Sequence, residues 1–299
     1  MPAFDLMTWG FPCKDISISG NMKGFDKGSN TKSSLLWEGM RILKKKKPKY
    51  SIVENVDNLV HKRYKDDFDK WLKELEKIGY KNHWKVLDAQ NFNIPQSRKR
   101  VFVVSIREDI ENSFAFPDKK ELNYTVREFL NPIVDDKYYL SDKALKYMNR
   151  KTSDGRTHWD FGHHCWSDEV AKAITANIYK GVPYGVVICA MRGRYNKKGN
   201  VEQQIEIKKD NNLSNSITTV QKDNLILEIK KNKIRRFTPL ECWRLMGFED
   251  EDYWQARFAL ENKYYYGNDK SDTRMYKMAG NSIVVPVLEE IFKELLLKI

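Results

Sequence analysis

Apolar and polar positions alternate in two styles along this chain. Residues 3–9 (AFDLMTW) form a short apolar run that ends at a Gly-Phe-Pro-Cys turn, which predicts a buried strand. Leu35, Leu36, Met40, Ile42 and Leu43 give residues 33–46 a helical apolar face, and Pro48 stops that helix. Lys44 to Lys47 fall at its C-terminal end, where cations complement the helix dipole. Tyr50 to Val53 predict a strand leading into Glu54, and Phe68, Trp71, Leu72, Leu75 and Ile78 predict a helix over 65–79 closed by Gly79. Two further strands are expected at 83–88 and 100–106. Strands alternating with helices imply a largely parallel sheet joined by crossovers.

The style changes after about residue 112. Residues 115–234 are polar, with short β-like runs at 182–191 and 223–229 and more strand suggested at 174–179 and 217–221. This stretch reads as a separate domain of strands and loops. A helical segment follows at 235–248, with Thr238 as N-cap, Pro239 at N1 and Glu241 at N3. A last helix begins near Val285 to Val287.

Composition adds a partner class. The chain has 299 residues, enough for one or two domains, and 41% are hydrophobic. Lys and Arg number 53 against 41 Asp and Glu, a formal charge of +12. Such a balance suits a polyanion, although a generally lysine-rich protein would share it. Cysteines stand at 13, 165, 189 and 242 with no C-x-x-C pair, which argues against a disulfide framework and for a reducing compartment. No signal peptide and no run of about 18 apolar residues is present, so the expectation is a soluble cytoplasmic protein with no membrane partner. His163-His164-Cys165 lacks a second ligand pair at metal spacing, and no metal is expected.

Five short motifs carry the chemistry. GFPCKDIS (10–17) is followed by Gly20, Gly24 and Gly28; then come VENV (53–56), IPQSRKRVFVV (94–104), RRFTPLECWRLMGF (235–248) and MAGNSIVV (278–285). In this order and spacing the chain resembles the DNA cytosine-5 methyltransferases of bacterial and phage type, from its first residues to its last. The resemblance implies an α/β fold, with a Rossmann-like class I methyltransferase core and a smaller, mostly β and loop target-recognition domain. It places the catalytic domain at 1–114, with 276–299 returning to it, and target recognition at 115–275. It also implies S-adenosylmethionine as methyl donor and double-stranded DNA as partner.

Cytosine C5 is a poor nucleophile. A thiolate adding to C6 makes C5 able to attack an electrophilic methyl, so the site needs an accessible cysteine. The resemblance gives that role to Cys13, at the end of a strand where α/β sheets place their chemistry. It makes Glu54 the acid facing N3, and its flanks Ile52, Val53 and Val56 are expected to favour the protonated form by desolvation. Arg98 and Arg100 alternate at a strand start and so share a face; taken alone, they could be surface arginines of an edge strand. By resemblance Arg100 holds the flipped base, while Arg98 and Gln96 brace it or touch phosphate.

Pro12, Leu35, Asn281 and Ser282 match positions on the donor side. Loop 14–30, with Ser17, Ser19 and Lys23, can close over DNA on its glycine hinges, as rotation of the base out of the stack requires. The family usually has Gln after Pro-Cys, and here the residue is Lys14. Arg192 and Arg194 in MRGRYNKK (191–198) are candidates for target contact, with a solvated loop as the alternative, and so is Thr219 with Val220, which Ile217-Thr218 overlaps as a second choice. Arg236 is expected to brace.

The family places cofactor-binding motifs ahead of the Pro-Cys strand, and this chain is expected to lack them, together with the first strands of its sheet. Three explanations stay open: a large subunit completed by a small amino-terminal one, a truncated frame, or a DNA-binding remnant without catalysis. An RNA cytosine-5 methyltransferase is the different-substrate alternative, disfavoured by the length of the variable domain. A cognate restriction endonuclease is a partner by context alone.

Overall fold

The computed structural model describes residues 2–13, 15–16, 24–25, 27–141, 186–195, 201–207, 213–219, 224–228, 233–266 and 271–297. For 186–195, 201–207, 227–228 and 233 the description is of the backbone course. The chain divides into two compact units. The first comprises Met1–Asp88, Lys99–Lys119 and Val287–Ile299; the second comprises Ala89–Arg98 and Lys120–Pro286.

The first unit is built on four strands, β1 (Leu6–Gly10), β2 (Tyr50–Val56), β3 (Tyr80–Asp88) and β4 (Lys99–Arg107), in the order β1-β2-β4-β3. β1 runs parallel to β2, and β4 runs antiparallel to both β2 and β3. Three strands therefore share one direction and the fourth is inserted against them. The expected largely parallel sheet is corrected to that extent: alternation of elements predicts crossovers but does not fix the slot into which the last strand goes. The two central strands are buried on both faces, Tyr50 to Val53 and Val101 to Ile106, as near-continuous apolar runs should be. β1 is half-buried and pairs on one side only among the described residues.

Two helices cover this sheet. The expected helix 33–46 begins as a 3-10 turn, Lys32–Leu35, capped by Thr31, and becomes α1 (Leu36–Lys46). α1 buries Leu36, Gly39, Met40 and Leu43, the spacing of one helical face. Gly39 is required there, because a Cβ would stand 2.1 Å from the Trp9 ring. α2 (Lys65–Lys77) buries Phe68, Trp71 and Leu75. Their shared core holds Trp9, Phe11, Phe25 and Trp71 in mutual ring contact, the Phe11 centroid lying 6.3 Å from each of the other three.

The second unit has its own sheet: β5 (Val186–Tyr195), β6 (Val201–Ile207), β7 (Leu225–Glu228) and β8 (Lys233–Arg236), antiparallel throughout in the order β6-β5-β7-β8. The expected strand at 217–221 is not formed at its described residues, 217–219. Their backbone is engaged by side chains instead, Ile217 O by Arg98 and Ile217 N by Gln96. The run 174–179 and the His163-His164-Cys165 cluster lie outside the described residues.

Helix α3 (Pro239–Arg244) starts as the sequence predicts. Thr238 accepts from Glu241 N, the Glu241 carboxylate accepts from Thr238 N at 2.7 Å, and Pro239 sits in the first turn. Glu241 also takes a bidentate, fully buried pair with Arg235 at 2.8 and 3.0 Å. α4 (Asp250–Tyr264) and α5 (Asp272–Asn281) complete the unit, with Trp243 donating to Met275 O at 3.0 Å. α6 (Val285–Leu296) buries Val287, Ile291 and Leu295. Among the described residues no helix is long and apolar enough to cross a membrane, and no group of His, Cys, Asp and Glu could hold a metal ion.

Candidate active site

Strand β1 delivers the Pro-Cys turn. Gly10, its last residue, stands opposite Glu54 in the parallel register, and a Cβ there would meet Glu54 O at 3.2 Å. Phe11 then plugs into the aromatic core, which leaves Pro12 and Cys13 exposed directly above it. Asn55, the residue after Glu54, donates to Phe11 O at 2.9 Å, and Ile16 N donates to Cys13 O at 2.9 Å. The thiol is thus accessible while its backbone is held.

Glu54 alternates away from buried Val53 and Asn55 at the C-terminal end of β2. Arg100 enters on β4, where it is paired with Val56 and sits two residues before the Glu54 partner Phe102. Their side chains meet, with Arg100 Nε 3.1 Å from Glu54 Oε1, and they are 21% and 16% exposed. The apolar surroundings expected for Glu54 are therefore only part of its environment, because a guanidinium lies against the carboxylate. Cys13, Glu54 and Arg100 all belong to the first unit. The pair provides a proton-bearing or proton-accepting oxygen beside a fixed positive fork, which suits a polar heterocycle edge.

Arg98 does something else. It precedes β4 and belongs to the second unit, 4% exposed. Its guanidinium donates to Ile217 O at 2.8 Å, Ser216 Oγ at 3.2 Å, Gly280 O at 3.1 Å and Ser282 O at 2.9 Å. Gln96, fully buried, donates to Leu245 O at 2.6 Å and accepts from Ile217 N at 2.8 Å. The two residues lace the 214–219 segment to α3 and to the turn after α5. The expectation that Arg98 and Arg100 share a strand face is corrected: the strand begins between them, and their side chains engage different groups. Thr219 lies in that laced segment, its backbone N 2.4 Å from where a Cβ on Gly280 would fall.

Leu35 is 53% exposed at the end of the 3-10 turn, off the buried face of α1. Asn281 is exposed at the last residue of α5, and Ser282 donates to Met278 O at 2.8 Å. Arg192 and Arg194 stand on strand β5 rather than on a loop, in register with Gln204 and Glu202. Arg236 donates to Lys137 O at 2.7 Å. Ser17, Ser19 and Lys23 lie outside the described residues. The backbone-holding residues Asn55 and Asn58 were not singled out by sequence reasoning. Their signal is weak but present, since both are amides in a stretch that otherwise predicts burial, and a buried amide needs partners.

Comparison with known proteins shows a class of methyltransferase. A model of the C-5 cytosine-specific DNA methylase family matches residues 1–297, and the chain belongs to that family. It is a DNA (cytosine-5) methyltransferase of bacterial and phage type, a class that uses S-adenosylmethionine and acts on double-stranded DNA. It is similar to type II methyltransferase M2.ScrFI of Lactococcus lactis subsp. cremoris, 36% identical over 295 residues, covering 99% of this chain and 67% of the relative. Orphan methyltransferase M.SssI of Spiroplasma monobiae is 30% identical over 300 residues, with 97% and 65% covered. Orphan methyltransferase M.SPRI of Bacillus phage SPR is 26% identical over 377 residues, with 99% and 83% covered. Among solved structures, S. pombe Dnmt2 methyltransferase aligns with a TM-score of 0.55 at 17% identity, covering 98% of this chain and 78% of that one, a likeness of fold.

Proposed function

We propose that the protein methylates C5 of a cytosine rotated out of duplex DNA, through a covalent bond from Cys13 Sγ to C6 of the base. The thiolate adds to C6, and the electron pair released at C5 takes the methyl. The C5 proton then leaves to a base, the C6–S bond breaks, and the thiolate is restored. Glu54 hydrogen-bonds at N3 and the exocyclic amine, relieving charge as the adduct forms. Arg100 orients Glu54 and offers its remaining N–H groups to the base oxygen. S-adenosylmethionine, when bound, supplies an electrophilic methyl on a sulfonium. Pro12 and Leu35 suit that neighbour: both are exposed and largely apolar, and Ser33, two residues from Leu35, is hydrogen-bonded to Pro12 O. The observation that carries the reading is the Glu54–Arg100 pair beside the strand end that presents an exposed Cys13.

That β1 pairs on one side only among the described residues supports a second element of the proposal. A further strand, from an additional amino-terminal segment or a small subunit, adds to that edge and completes the donor pocket. Gln96 and Arg98 act as braces for the 214–219 segment, which with Arg192 and Arg194 serves target selection in a domain approximating 115–275.

The test is transfer of a labelled methyl from S-adenosylmethionine to mixed-sequence duplex DNA, by the chain alone and with a peptide carrying the amino-terminal motifs of the family. Transfer by the chain alone rejects the need for completion. Transfer only with the peptide supports it. Silence in both favours a DNA-binding remnant, and transfer to RNA in preference to DNA favours the other substrate class. Cys13→Ser is expected to abolish transfer while changing DNA affinity less than about threefold by fluorescence anisotropy, since a thiol-to-hydroxyl change removes a nucleophile and no phosphate contact. Covalent capture of 5-fluorocytosine DNA by that variant at the wild-type level would reject Cys13 as nucleophile.

A further inference from the structure

The turn that carries Cys13 is held by more than its strand. Phe11 O accepts from Asn55 Nδ2 at 2.9 Å, Pro12 O from Ser33 Oγ at 2.5 Å, and Cys13 O from Ile16 N at 2.9 Å. Asp15 O accepts from Gly24 N at 2.9 Å and from Tyr64 Oη at 3.4 Å, and Ile16 O accepts from Asn58 Nδ2. Ser33 is the one residue of this set that grips both sides of the cysteine. Besides donating to Pro12 O, its hydroxyl accepts from Asp15 N at 3.2 Å, and its own backbone N donates to Asp15 Oδ2 at 3.2 Å. Ser33 is fully buried and Asp15 is 3% exposed, whereas Cys13 between their attachment points is exposed.

A buried carboxylate is costly unless it is well bonded, and the bond that Asp15 Oδ2 accepts from Ser33 N is one that holds it. What the carboxylate and hydroxyl add is geometry: two reciprocal bonds tie Asp15 to Ser33, and a third ties Ser33 to the residue preceding the cysteine. Addition to C6 demands a sulfur placed to a fraction of an ångström, and an exposed side chain on an otherwise open turn would not be so placed.

We propose that Asp15 and Ser33 form a latch that sets the position of the Cys13 thiol for attack, which makes both of them positioning residues for the reaction. The proposal rests on the reading of Cys13 as nucleophile. The latch acts on the addition step, ahead of any methyl transfer, so it is read without a methyl donor. On duplex DNA tritiated at cytosine C5, thiolate addition to C6 lets a solvent proton bond at C5. Loss of the triton and rupture of the C6–S bond then return cytosine and thiolate, and tritium appears in water with no net redox change.

The experiment measures that release by the full chain, together with the DNA concentration for half-maximal rate and the melting temperature. The proteins are wild type, Cys13→Ser, Ser33→Ala and the double variant Asp15→Ala with Ser33→Ala. Ser33→Ala is expected to lower the maximal rate about ten- to a hundredfold, with half-saturation unchanged within twofold. It also leaves Pro12 O and Asp15 N without the hydroxyl they bond, and should lower the melting temperature. The double variant also takes the carboxylate from Ser33 N, so rate and melting temperature should both fall further. If Ser33→Ala fails to fold, Asp15→Ala alone, which keeps the Ser33 bond to Pro12 O, carries the test: its maximal rate should fall with half-saturation unchanged, and a wild-type rate would overturn the latch. A double variant as fast as wild type would overturn the latch, while the nucleophile assignment stands as long as Cys13→Ser is silent. With the amino-terminal peptide of the family present, a Cys13→Ser variant that releases tritium like wild type, or a wild type that releases none, would instead overturn the nucleophile reading and the latch with it.

Discussion

At the scale of single residues, Cys13, Glu54 and Arg100 are marked by resemblance to a family rather than by spacing, since a Pro-Cys turn, a carboxylate at a strand end and an arginine on a strand are each ordinary taken alone. What the structure adds is that Glu54 and Arg100 meet at 3.1 Å. Arg98 was placed on the same face as Arg100 by strand periodicity, yet the strand begins only at Lys99 and its side chain bonds three carbonyls of the second unit. Periodicity holds inside an element and not across its first residue. Arg98→Ala should strand those buried carbonyls, at about 1–3 kcal/mol each before relaxation. A net loss of about 3 kcal/mol is expected, read as a lower urea midpoint at unchanged slope.

His83 supports a different kind of prediction at this scale. Burial, and behind it the charge of Lys81, holds its imidazole below the ordinary value, and the ring stands edge-on to Phe114 at 5.4 Å. A depressed folded value means that the unfolded chain takes up the proton first as pH falls. Stability contributed by neutral His83 is therefore full above about pH 6.5 and declines below it, until the folded value is passed. His83→Gln should flatten that part of the stability curve between pH 7 and 5. An identical slope in urea titrations of the variant would reject the assignment.

At the scale of elements, caps and apolar faces were readable and neighbours were not. Thr238, Pro239 and Glu241 announce the start of α3 because capping is a local transaction among adjacent residues. The 3-10 opening of Lys32–Leu35 was not announced. It depends on Thr31 reaching Gly24 O at 3.0 Å and on Ser33 turning inward, and both are tertiary contacts. Gly39 shows the same limit. In a helix interior a glycine looks like a loss of about 1 kcal/mol, and Ala looks like an improvement. Trp9 reverses that reading: its ring fills the space of the Cβ while its Nε1 donates to Ser51 Oγ at 3.0 Å and its edge meets Trp71. Overpacking of this kind costs about 1–3 kcal/mol, so Gly39→Ala is expected to be net destabilising despite its propensity. A melting temperature equal to or above wild type would show that β1 can shift, and the turn bearing Cys13 would then be less firmly seated than its hydrogen bonds suggest.

At the scale of the whole molecule, the alternation of strands and helices foretold an α/β unit but left the place of β4 undetermined, since strand order depends on contacts distant in sequence. The same is true of the division of the chain. Ala89–Arg98 joins the second unit although it lies between two strands of the first, because Gln96 and Arg98 find their partners there. Charge is the property of the whole chain that needs no fold to be read. A surplus of 12 cations on a protein whose substrate is duplex DNA should appear as counterion release. If about five phosphates are neutralised, the logarithm of the association constant for non-specific DNA should fall with the logarithm of salt at a slope near −4 to −5. Replacing Arg192 and Arg194 together by Gln should shallow that slope by about 2 if both strand positions meet phosphate. It should leave the slope unchanged and alter the preferred sequence if they read base edges. The two outcomes separate a strand that positions the duplex from a strand that reads its sequence.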